Sequence, residues 1–236
     1  MAERERIWDR FLTEQDKASL EVPAHHAPGT RPALVMVDFY RWVFGDRPQP
    51  LLEAMRDWPG SVGLAGWNAL PDVQRVLAAA RAAAIPVIHL SQSEAIAGWR
   101  DRTPPTSPPS AEMLDRMRRK YDIIDETAPL PGEVIIRKTA PSGFNQTPLL
   151  HHLRGLDTDT LIVMGESTSG CVRATVVDGK SYRYPILIPE ECVFDRHEAT
   201  HAINLFDMEQ KYAHVQPVED VLAYIERIAA GRRPAG

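Results

Sequence analysis

One cysteine lies in a sequence context that suits a nucleophile. Cys171 follows the apolar segment TLIVMG through the turn ESTSG, and it opens the segment CVRATVVDG, whose apolar spacing predicts a helix. A thiol at a helix N-terminus lies near backbone N–H groups and the positive end of the helix dipole, which favour the thiolate. Cys171 is therefore the strongest candidate nucleophile. The other cysteine, Cys192 in IPEECVF, fits a small buried residue better.

Two charged residues end other apolar segments. Asp38 ends ALVMVD and Lys138 ends VIIRK. Either residue has a local alternative, because aspartate often caps a turn and a lysine at a strand end is usually solvated. In an open parallel sheet, however, the carboxyl ends of the strands face the ligand crevice, and adjacent strands lie only about 4.8 Å apart. An ammonium group there would stabilise a thiolate, and a carboxylate could take the thiol proton and return it to a departing amine.

The elements that must position these residues alternate along the chain. Short apolar runs rich in Val, Ile and Leu recur between segments with helical spacing, which predicts one α/β domain with a parallel sheet covered on both faces. The predicted strands are 33–37, 86–90, 134–136, 160–164 and 186–188, with a more weakly supported sixth at 213–216. The predicted helices are 70–84, 147–154, 168–182 and 217–230.

Two regions break this alternation. Residues 40–68 contain several Pro, Gly and Trp residues, and residues 98–120 contain TPPTSPP, which cannot continue a helix. Loops of this length are often lids, binding loops or subunit contacts, although surface decoration is an equal alternative. The tryptophans in or beside these regions could wall a pocket or an interface. They are Trp42, Trp58, Trp67 and Trp99.

Composition excludes several classes of protein. The 236 residues are 44% hydrophobic and 25% charged, which is typical of a globular domain. The net charge of −5 and the absence of a basic patch argue against a nucleic-acid partner. Neither a membrane span nor a signal peptide is visible, and two cysteines are too few for a disulfide framework, so we expect a cytoplasmic protein without a membrane partner. Residues 1–30 read as a polar N-terminal arm, mobile or gripping a neighbour, before a single domain at 31–230.

Three ordered motifs carry a resemblance to a known family. They are ALVMVDFY around Asp38, IIRKTAPSGF around Lys138 and GESTSGCVRATVVD around Cys171, and they resemble the isochorismatase-like cysteine hydrolases over about residues 30–225. The resemblance implies that these three residues form a catalytic triad. It also implies a three-layer Rossmann-like fold with a six-stranded parallel sheet flanked by helices.

Within that family, two segments are most similar to the amidohydrolases of N-carbamoylsarcosine and maleamate, which release ammonia. The segments are TSGCVRAT and ECVFDRHEATHAINLFDMEQKYAHV. The same resemblance implies a cis peptide bond between Glu166 and Ser167, and an oxyanion hole formed by the backbone N–H groups of Ser167 and Cys171. A cis bond without proline persists only where its surroundings enforce it.

The resemblance also implies residues that hold the substrate. Arg196 matches the position that binds a substrate carboxylate, and a guanidinium would orient a small anion well. The alternative is a surface arginine paired with Asp195 or Glu198. Thr168 is expected to hydrogen-bond substrate or to cap the following helix.

Histidine positions argue against a bound metal. The nicotinamidases of the wider family hold a metal with Asp and His residues after the second strand, where this chain has only His89 in HLSQSEAIAGWRDR. We therefore predict no metal and no cofactor, with His89 in a structural role. The pair His151 and His152 is also expected to be structural. His197 and His201 have an i, i+4 spacing able to bind metal, but they lack the glutamate of an H-E-x-x-H frame.

The predicted activity is that of a cysteine-dependent amidohydrolase. It would release ammonia from a small carboxylate-bearing N-carbamoyl or amide compound through a thioester on Cys171. Alternatives are a maleamate-type or nicotinamide-type amidase, an isochorismatase that cleaves an enol ether, or a non-catalytic ligand-binding protein of the same fold. The resemblance favours a homodimer or homotetramer.

Overall fold

A computed structural model describes residues 5–20, 25–93 and 110–232. Its centre is a parallel sheet of seven strands in the order β3-β2-β1-β4-β5-β7, with β6 paired to β4. The strands are β1 Pro32–Val37, β2 Val87–Gln92, β3 Val134–Lys138, β4 Thr160–Glu166, β5 Ile186–Pro189, β6 Val193–Phe194 and β7 His214–Gln216.

Helices cover the sheet on both faces, so the predicted three-layer α/β fold is confirmed. The helices are α1 Glu14–Ala18, α2 Arg41–Phe44, α3 Leu51–Asp57, α4 Leu64–Ala82, α5 Ala111–Arg119, α6 Leu149–Gly155, α7 Arg173–Ser181, α8 Glu198–Lys211 and α9 Val218–Arg232. Short 3₁₀ turns occupy Asp9–Phe11, Asp125–Thr127 and Glu190–Cys192, and a π-helical turn occupies Thr168–Val172. None of the helices in the described part of the chain is long and apolar enough to cross a membrane.

The centre of the sheet determines where the candidate residues lie. Strand β1 is buried along its whole length and pairs with β2 on one side and β4 on the other. Residues 37 and 165 are register partners, so the ends of β1 and β4 lie side by side. This juxtaposition brings the residues that follow each strand to one edge of the sheet.

The strand count and the start of helix α4 differ from the sequence prediction. The sheet has one strand more than the six predicted, because β6 is only two residues long and has no recognisable pattern. Helix α4 begins at Leu64 rather than near residue 70 and carries Pro71 inside it. The weakly supported strand near residue 213 is present as β7.

Residues 40–68 are packed rather than extended. The Trp58 indole donates to Asp46 at 3.1 Å, and the Trp67 indole donates to the Phe44 carbonyl at 2.9 Å. Trp58 is buried, so its large apolar surface stabilises this region from inside. Of the other excursion, residues 94–109 with Trp99 lie outside the described residues, and α5 follows them with no buried residue.

Arg6 and Trp8, near the first described residue, pack on the same domain. Trp8 is only 4% exposed and belongs to the same hydrophobic core as the sheet. The Arg6 guanidinium lies over the Trp8 ring at 4.2 Å, donates to the Val215 carbonyl at 2.8 Å and pairs with Glu190 at 3.2 Å. These contacts attach the arm beside β7.

Candidate active site

Asp38 lies directly after β1, at the carboxyl edge of the sheet. Its side chain is fully buried, and its backbone has a φ of +60°. That left-handed conformation is uncommon for residues other than glycine, although aspartate is among those that tolerate it. The turn directs the chain away from the strand at the point where the carboxylate meets its partners.

Lys138 ends the edge strand β3 and reaches inward to Asp38. Burial alternates along this strand, so Lys138 is buried while the adjacent Arg137 is exposed, as the sequence predicts. The Lys138 Nζ donates to Asp38 Oδ2 at 2.8 Å and to Cys171 Sγ at 3.2 Å. The Lys138 ammonium group therefore joins two residues that lie far from it along the chain: Asp38 is 100 positions away and Cys171 is 33 positions away.

Cys171 lies in the π-helical turn Thr168–Val172 that leads into α7. The pKa of its thiol is raised to about 12, mainly because the group is buried. The charge of Asp38 also raises this pKa, by more than the charge of Lys138 lowers it. The helix terminus favours the thiolate, as the sequence indicates, but burial and the charge of Asp38 shift the balance toward the thiol. A base must therefore take the thiol proton, as the sequence also predicts.

The carboxylate and the ammonium also depend on burial. Burial raises the pKa of Asp38 more than its Lys138 partner lowers it. Burial lowers the pKa of Lys138, but the charges of Asp38 and Cys171 outweigh this effect and the net shift is upward. A carboxylate with raised basicity beside a neutral thiol is a suitable proton acceptor.

The turn before Cys171 has a tightly constrained backbone. Gly165 has a φ of +126°, and a Cβ atom there would overlap the Val37 carbonyl oxygen. The peptide bond between Glu166 and Ser167 is cis, as the family resemblance implies. The Ser167 carbonyl accepts the N–H groups of Gly170 and Val172 at 3.0 and 3.1 Å.

Asp195 holds this turn from outside, and sequence reasoning missed it in this role. Its Oδ2 accepts the Ser169 backbone N–H at 2.9 Å and the Ser169 hydroxyl at 2.6 Å, while its Oδ1 accepts the Arg196 backbone N–H at 2.7 Å. The N–H groups of Ser169, Gly170 and Val172 are thus engaged within the protein. The predicted oxyanion donors, the N–H groups of Ser167 and Cys171, are not among these three engaged groups.

Arg196 extends over residues 59–61 rather than pairing with a carboxylate. Its Nε donates to the Ser61 carbonyl at 3.2 Å and its Nη2 to the Pro59 carbonyl at 3.1 Å. The alternative of an ion pair with Asp195 or Glu198 is therefore not what the structure shows. A guanidinium has five N–H donors, so two bonds to carbonyl groups leave others for an anion.

A cavity of about 490 Å³ lies beside Arg196. Phe194, Asp195 and His201 also line it, whereas Asp38, Lys138 and Cys171 do not. The cavity therefore adjoins Arg196, the predicted substrate-binding residue, but the three predicted catalytic residues do not line it.

A comparison with known families identifies the chain. Residues 32–220 match the isochorismatase domain model. The chain belongs to the isochorismatase family. This match covers all three motifs and every strand of the sheet, and it confirms the resemblance that the motifs carry.

Named relatives of this isochorismatase-family chain are amidases and amidohydrolases. N-carbamoylsarcosine amidase from Arthrobacter sp. is 31% identical over 205 residues, which is 85% of this chain and 73% of that protein. Maleamate amidohydrolase from Pseudomonas putida is 37% identical over 105 residues, 44% of this chain and 49% of that protein. Ureidoacrylate amidohydrolase RutB from Methylobacterium radiotolerans is 30% identical over 188 residues, 70% of this chain and 71% of that protein.

A solved structure confirms the isochorismatase-family fold. A cysteine hydrolase from Pseudomonas syringae pv. phaseolicola superposes with a TM-score of 0.71 at 22% identity, covering 89% of this chain and 100% of that one. At this identity the likeness extends to the fold.

Thr168 and His201 form a hydrogen-bonded pair in this isochorismatase-family chain. The Thr168 hydroxyl and His201 Nδ1 share a hydrogen bond of 2.8 Å, and Thr168 is fully buried. Thr168 makes this contact to α8 rather than a helix cap. Burial lowers the pKa of His201, so its ring is neutral and suited to this bond. Its partner in the i, i+4 spacing, His197, lies just before α8.

His89 has the structural role predicted for it. It is 1% exposed on β2, and its Nε2 lies 2.9 Å from Glu133 Oε2. The Arg81 guanidinium also donates to Glu133 at 2.8 and 2.9 Å. This cluster links α4, β2 and the turn before β3. Within the described residues, no three His, Cys, Asp or Glu side chains are grouped to hold a metal ion.

Glu166, the last residue of β4, is a second site residue that sequence reasoning did not single out. Burial raises its pKa to about 8, and the charges of Asp38 and Asp195 add to that effect against Lys138 and Arg196. Its position in the motif GESTSG was visible, but its surroundings were not.

Proposed function

We propose that this protein releases ammonia from a terminal amide or carbamoyl group of a small carboxylate-bearing compound, with Cys171 as the nucleophile. The coarser statement, that the chain is a hydrolase acting on amides, follows from its family and its named relatives. The observation that carries the finer proposal is the Lys138 ammonium, which contacts Asp38 Oδ2 and Cys171 Sγ at once.

In the first half of the reaction, Asp38 takes the proton from the Cys171 thiol as the sulfur attacks the amide carbon. The raised pKa of Cys171 means that this proton moves during the attack. Lys138 offsets the negative charge on the sulfur, and the N–H groups of Ser167 and Cys171 stabilise the oxyanion. The carbon–nitrogen bond then breaks, and Asp38 gives its proton to the leaving ammonia.

In the second half, water hydrolyses the acyl group on the sulfur. Asp38 takes a proton from water, the resulting hydroxide attacks the same carbon, and the carbon–sulfur bond breaks. The proton returns to the sulfur and the carboxylic acid leaves. For a carbamoyl substrate the intermediate is a thiocarbamate ester, and the acid released is a carbamic acid, which loses carbon dioxide.

Arg196 is the proposed partner of the substrate carboxylate. Its bonds to the Pro59 and Ser61 carbonyls hold the guanidinium in place while donors remain free. An anion bound there is oriented without a large loss of side-chain entropy, because the arginine is already ordered. Maleamate, ureidoacrylate and N-carbamoylsarcosine, for which the relatives are named, each combine a carboxylate with such a nitrogen group.

The test is ammonia release from these three compounds by the wild type, Cys171→Ala and Cys192→Ala. We expect the wild type to act on at least one of them, Cys171→Ala to lose at least about 1000-fold in rate because its nucleophile is gone, and Cys192→Ala to remain active. Cys192 is a matched control because it is the second free cysteine and is fully buried. Substantial turnover by a folded Cys171→Ala protein would overturn the proposal. An acyl adduct on Cys171, detected by mass spectrometry after rapid quenching, would support the thioester.

A further inference from the structure

Asp195 is brought to the turn that carries Cys171 by a strand of only two residues. Both residues of β6 pair in register with the last two residues of β4. The residues that follow the two strands are Asp195 and Ser167, so this short pairing places the Asp195 carboxylate at the start of the turn. The position of Asp195 is therefore fixed by the sheet itself.

The two carboxylate oxygens of Asp195 have different partners. Its Oδ2 accepts both donors of Ser169, the backbone N–H at 2.9 Å and the hydroxyl at 2.6 Å, whereas its Oδ1 accepts the Arg196 backbone N–H at 2.7 Å. Ser169 lies between Ser167 and Cys171, whose N–H groups are the proposed oxyanion donors. Arg196 is the proposed partner of the substrate carboxylate. One carboxylate group therefore joins the turn that carries the nucleophile to the residue proposed for the other end of the substrate.

Separate groups hold the two halves of this turn. In the first half, next to the carboxylate bonds, the Thr168 hydroxyl shares a hydrogen bond of 2.8 Å with His201 Nδ1 on α8. In the second half, the Thr175 hydroxyl donates to the Cys171 carbonyl at 2.7 Å and accepts the Gly143 N–H at 3.0 Å. Loss of the carboxylate therefore loosens the first half of the turn, while Cys171 keeps an attachment of its own.

We propose that Asp195 is a positioning residue that sets both ends of the substrate site. Through Ser169 it fixes the backbone next to the first oxyanion donor, the N–H of Ser167. Through the backbone of Arg196 it fixes the guanidinium relative to that donor. This inference rests on the proposed function and deepens it, because it states what keeps the two ends of the site in register. A misplacement of about 1 Å in such a site can cost about 100-fold in rate.

The two roles of Asp195 can be separated by substitution. Asp195→Ala loses the bonds at both oxygens. In Asp195→Asn the remaining oxygen turns toward Ser169, which offers two donors, so the amide group faces the Arg196 N–H and cannot accept it. Ser169→Ala loses the hydroxyl bond and leaves the Arg196 end intact. Bonds at Ser169 act on the oxyanion and hence on kcat, and the bond at Arg196 acts on substrate binding and hence on KM.

The experiment measures kcat and KM for ammonia release from whichever of maleamate, ureidoacrylate and N-carbamoylsarcosine the wild type hydrolyses fastest. In Asp195→Ala we expect kcat to fall about 100-fold and KM to rise several-fold. Asp195→Asn should keep kcat within about threefold while KM rises several-fold, and Ser169→Ala should lower kcat about tenfold at unchanged KM. Glu198→Gln is the matched control: Glu198 lines the same cavity and pairs with Arg10, so both constants should equal those of the wild type.

Alkylation of Cys171 by iodoacetamide distinguishes positioning from a general loss of structure. This reaction forms no oxyanion, and Cys171 keeps its bond from Thr175. Cys171 in Asp195→Ala should therefore be alkylated within about twofold of the wild-type rate, while the buried Cys192 stays unmodified. If alkylation of Cys171 falls in proportion to kcat, or if Cys192 becomes reactive, the role of Asp195 is only structural and the proposal is overturned.

The outcomes also separate this inference from the function on which it rests. If the wild type releases no ammonia from any of the three compounds, both are overturned. If the wild type is active and folded Asp195→Ala keeps its kcat and KM, the function stands and the role of Asp195 is overturned. If thermal unfolding shows that Asp195→Ala is not folded, Asp195→Asn and Ser169→Ala decide the matter: a change of KM in the first and of kcat in the second supports the proposal, and any other pattern refutes it.

Discussion

Replacing Asp38 by asparagine should make Cys171 more reactive while it stops turnover. Asp38 raises the pKa of the Cys171 thiol by its negative charge, which comes second to burial among the causes. Asparagine removes the charge with little change in size, and the Lys138 ammonium remains 3.2 Å from the sulfur. The thiolate then keeps its cation and loses its opposing anion. Ammonia release stops because no group is left to move the proton.

The size of the effect follows from the geometry of the triad. Asp38 Oδ2 and Cys171 Sγ lie 2.8 and 3.2 Å from the same Nζ, so they are at most about 6 Å apart. At about 6 Å and an effective dielectric constant of about 20, two negative charges repel by about 3 kcal/mol, which is a factor of about 100 in thiolate population. Because a less basic thiolate is also a weaker nucleophile, about tenfold of this gain is lost. Alkylation of Cys171 should therefore accelerate about tenfold.

The assay is the rate at which iodoacetamide alkylates Cys171 at pH 9, followed by mass spectrometry of its peptide. Cys192 is fully buried and serves as an internal reference in the same sample. Lys138→Met is the matched control with the opposite sign, since it removes the cation and should slow alkylation. If folded Asp38→Asn protein is alkylated no faster than the wild type, Asp38 does not oppose the thiolate and this account of the site is wrong.

Two further predictions concern stability. Burial raises the pKa of Glu133, but its bonds from Arg81, the Leu130 backbone N–H and His89 outweigh this effect and lower the pKa to about 2. The stabilisation is therefore present above the ordinary pKa of 4.5 and is lost as the pH falls through 2. Glu133→Gln should therefore lower the free energy of unfolding at pH 7 by roughly 1 to 2 kcal/mol, because solvent screens part of the charge interaction, and by progressively less below pH 4.5. A difference that stays constant in urea titrations across this range would contradict the ion-pair account. Gly165→Ala should lower the free energy of unfolding by roughly 2 to 4 kcal/mol, because the added Cβ would overlap the Val37 carbonyl oxygen at a residue with positive φ. Gly155→Ala is the control: nothing lies near its Cβ, so this variant should melt near the wild-type temperature. Equal melting temperatures of the two variants would refute the packing argument.

The three candidate catalytic residues could be found from the sequence because their signals are local. Each follows an apolar strand or a strand and its turn, and the carboxyl ends of parallel strands must lie at one edge of a sheet. The prediction that Asp38, Lys138 and Cys171 meet therefore needed only the strand pattern and the motifs. The burial of Lys138 and the exposure of Arg137 likewise follow from the two-residue period of a strand.

What these residues do to one another was decided by the tertiary structure. The helix position of Cys171 favours the thiolate, whereas burial and the nearby Asp38 raise the pKa of its thiol, and neither effect is visible within a few residues of the cysteine. The bonds of Arg196 to Pro59 and Ser61 and the contact of Thr168 with His201 join positions far apart in the sequence.

The same limit explains Glu166 and Asp195. Within their own motifs both are ordinary acidic residues, and nothing local distinguishes them from solvated side chains. Only the folded chain places Asp195 on the Ser169 amide and puts Glu166 among the charges of four other residues. The sequence determined which residues could do chemistry, since strand ends and motifs are local; packing decided their protonation and partners, because desolvation and charge depend on neighbours that only the fold brings together.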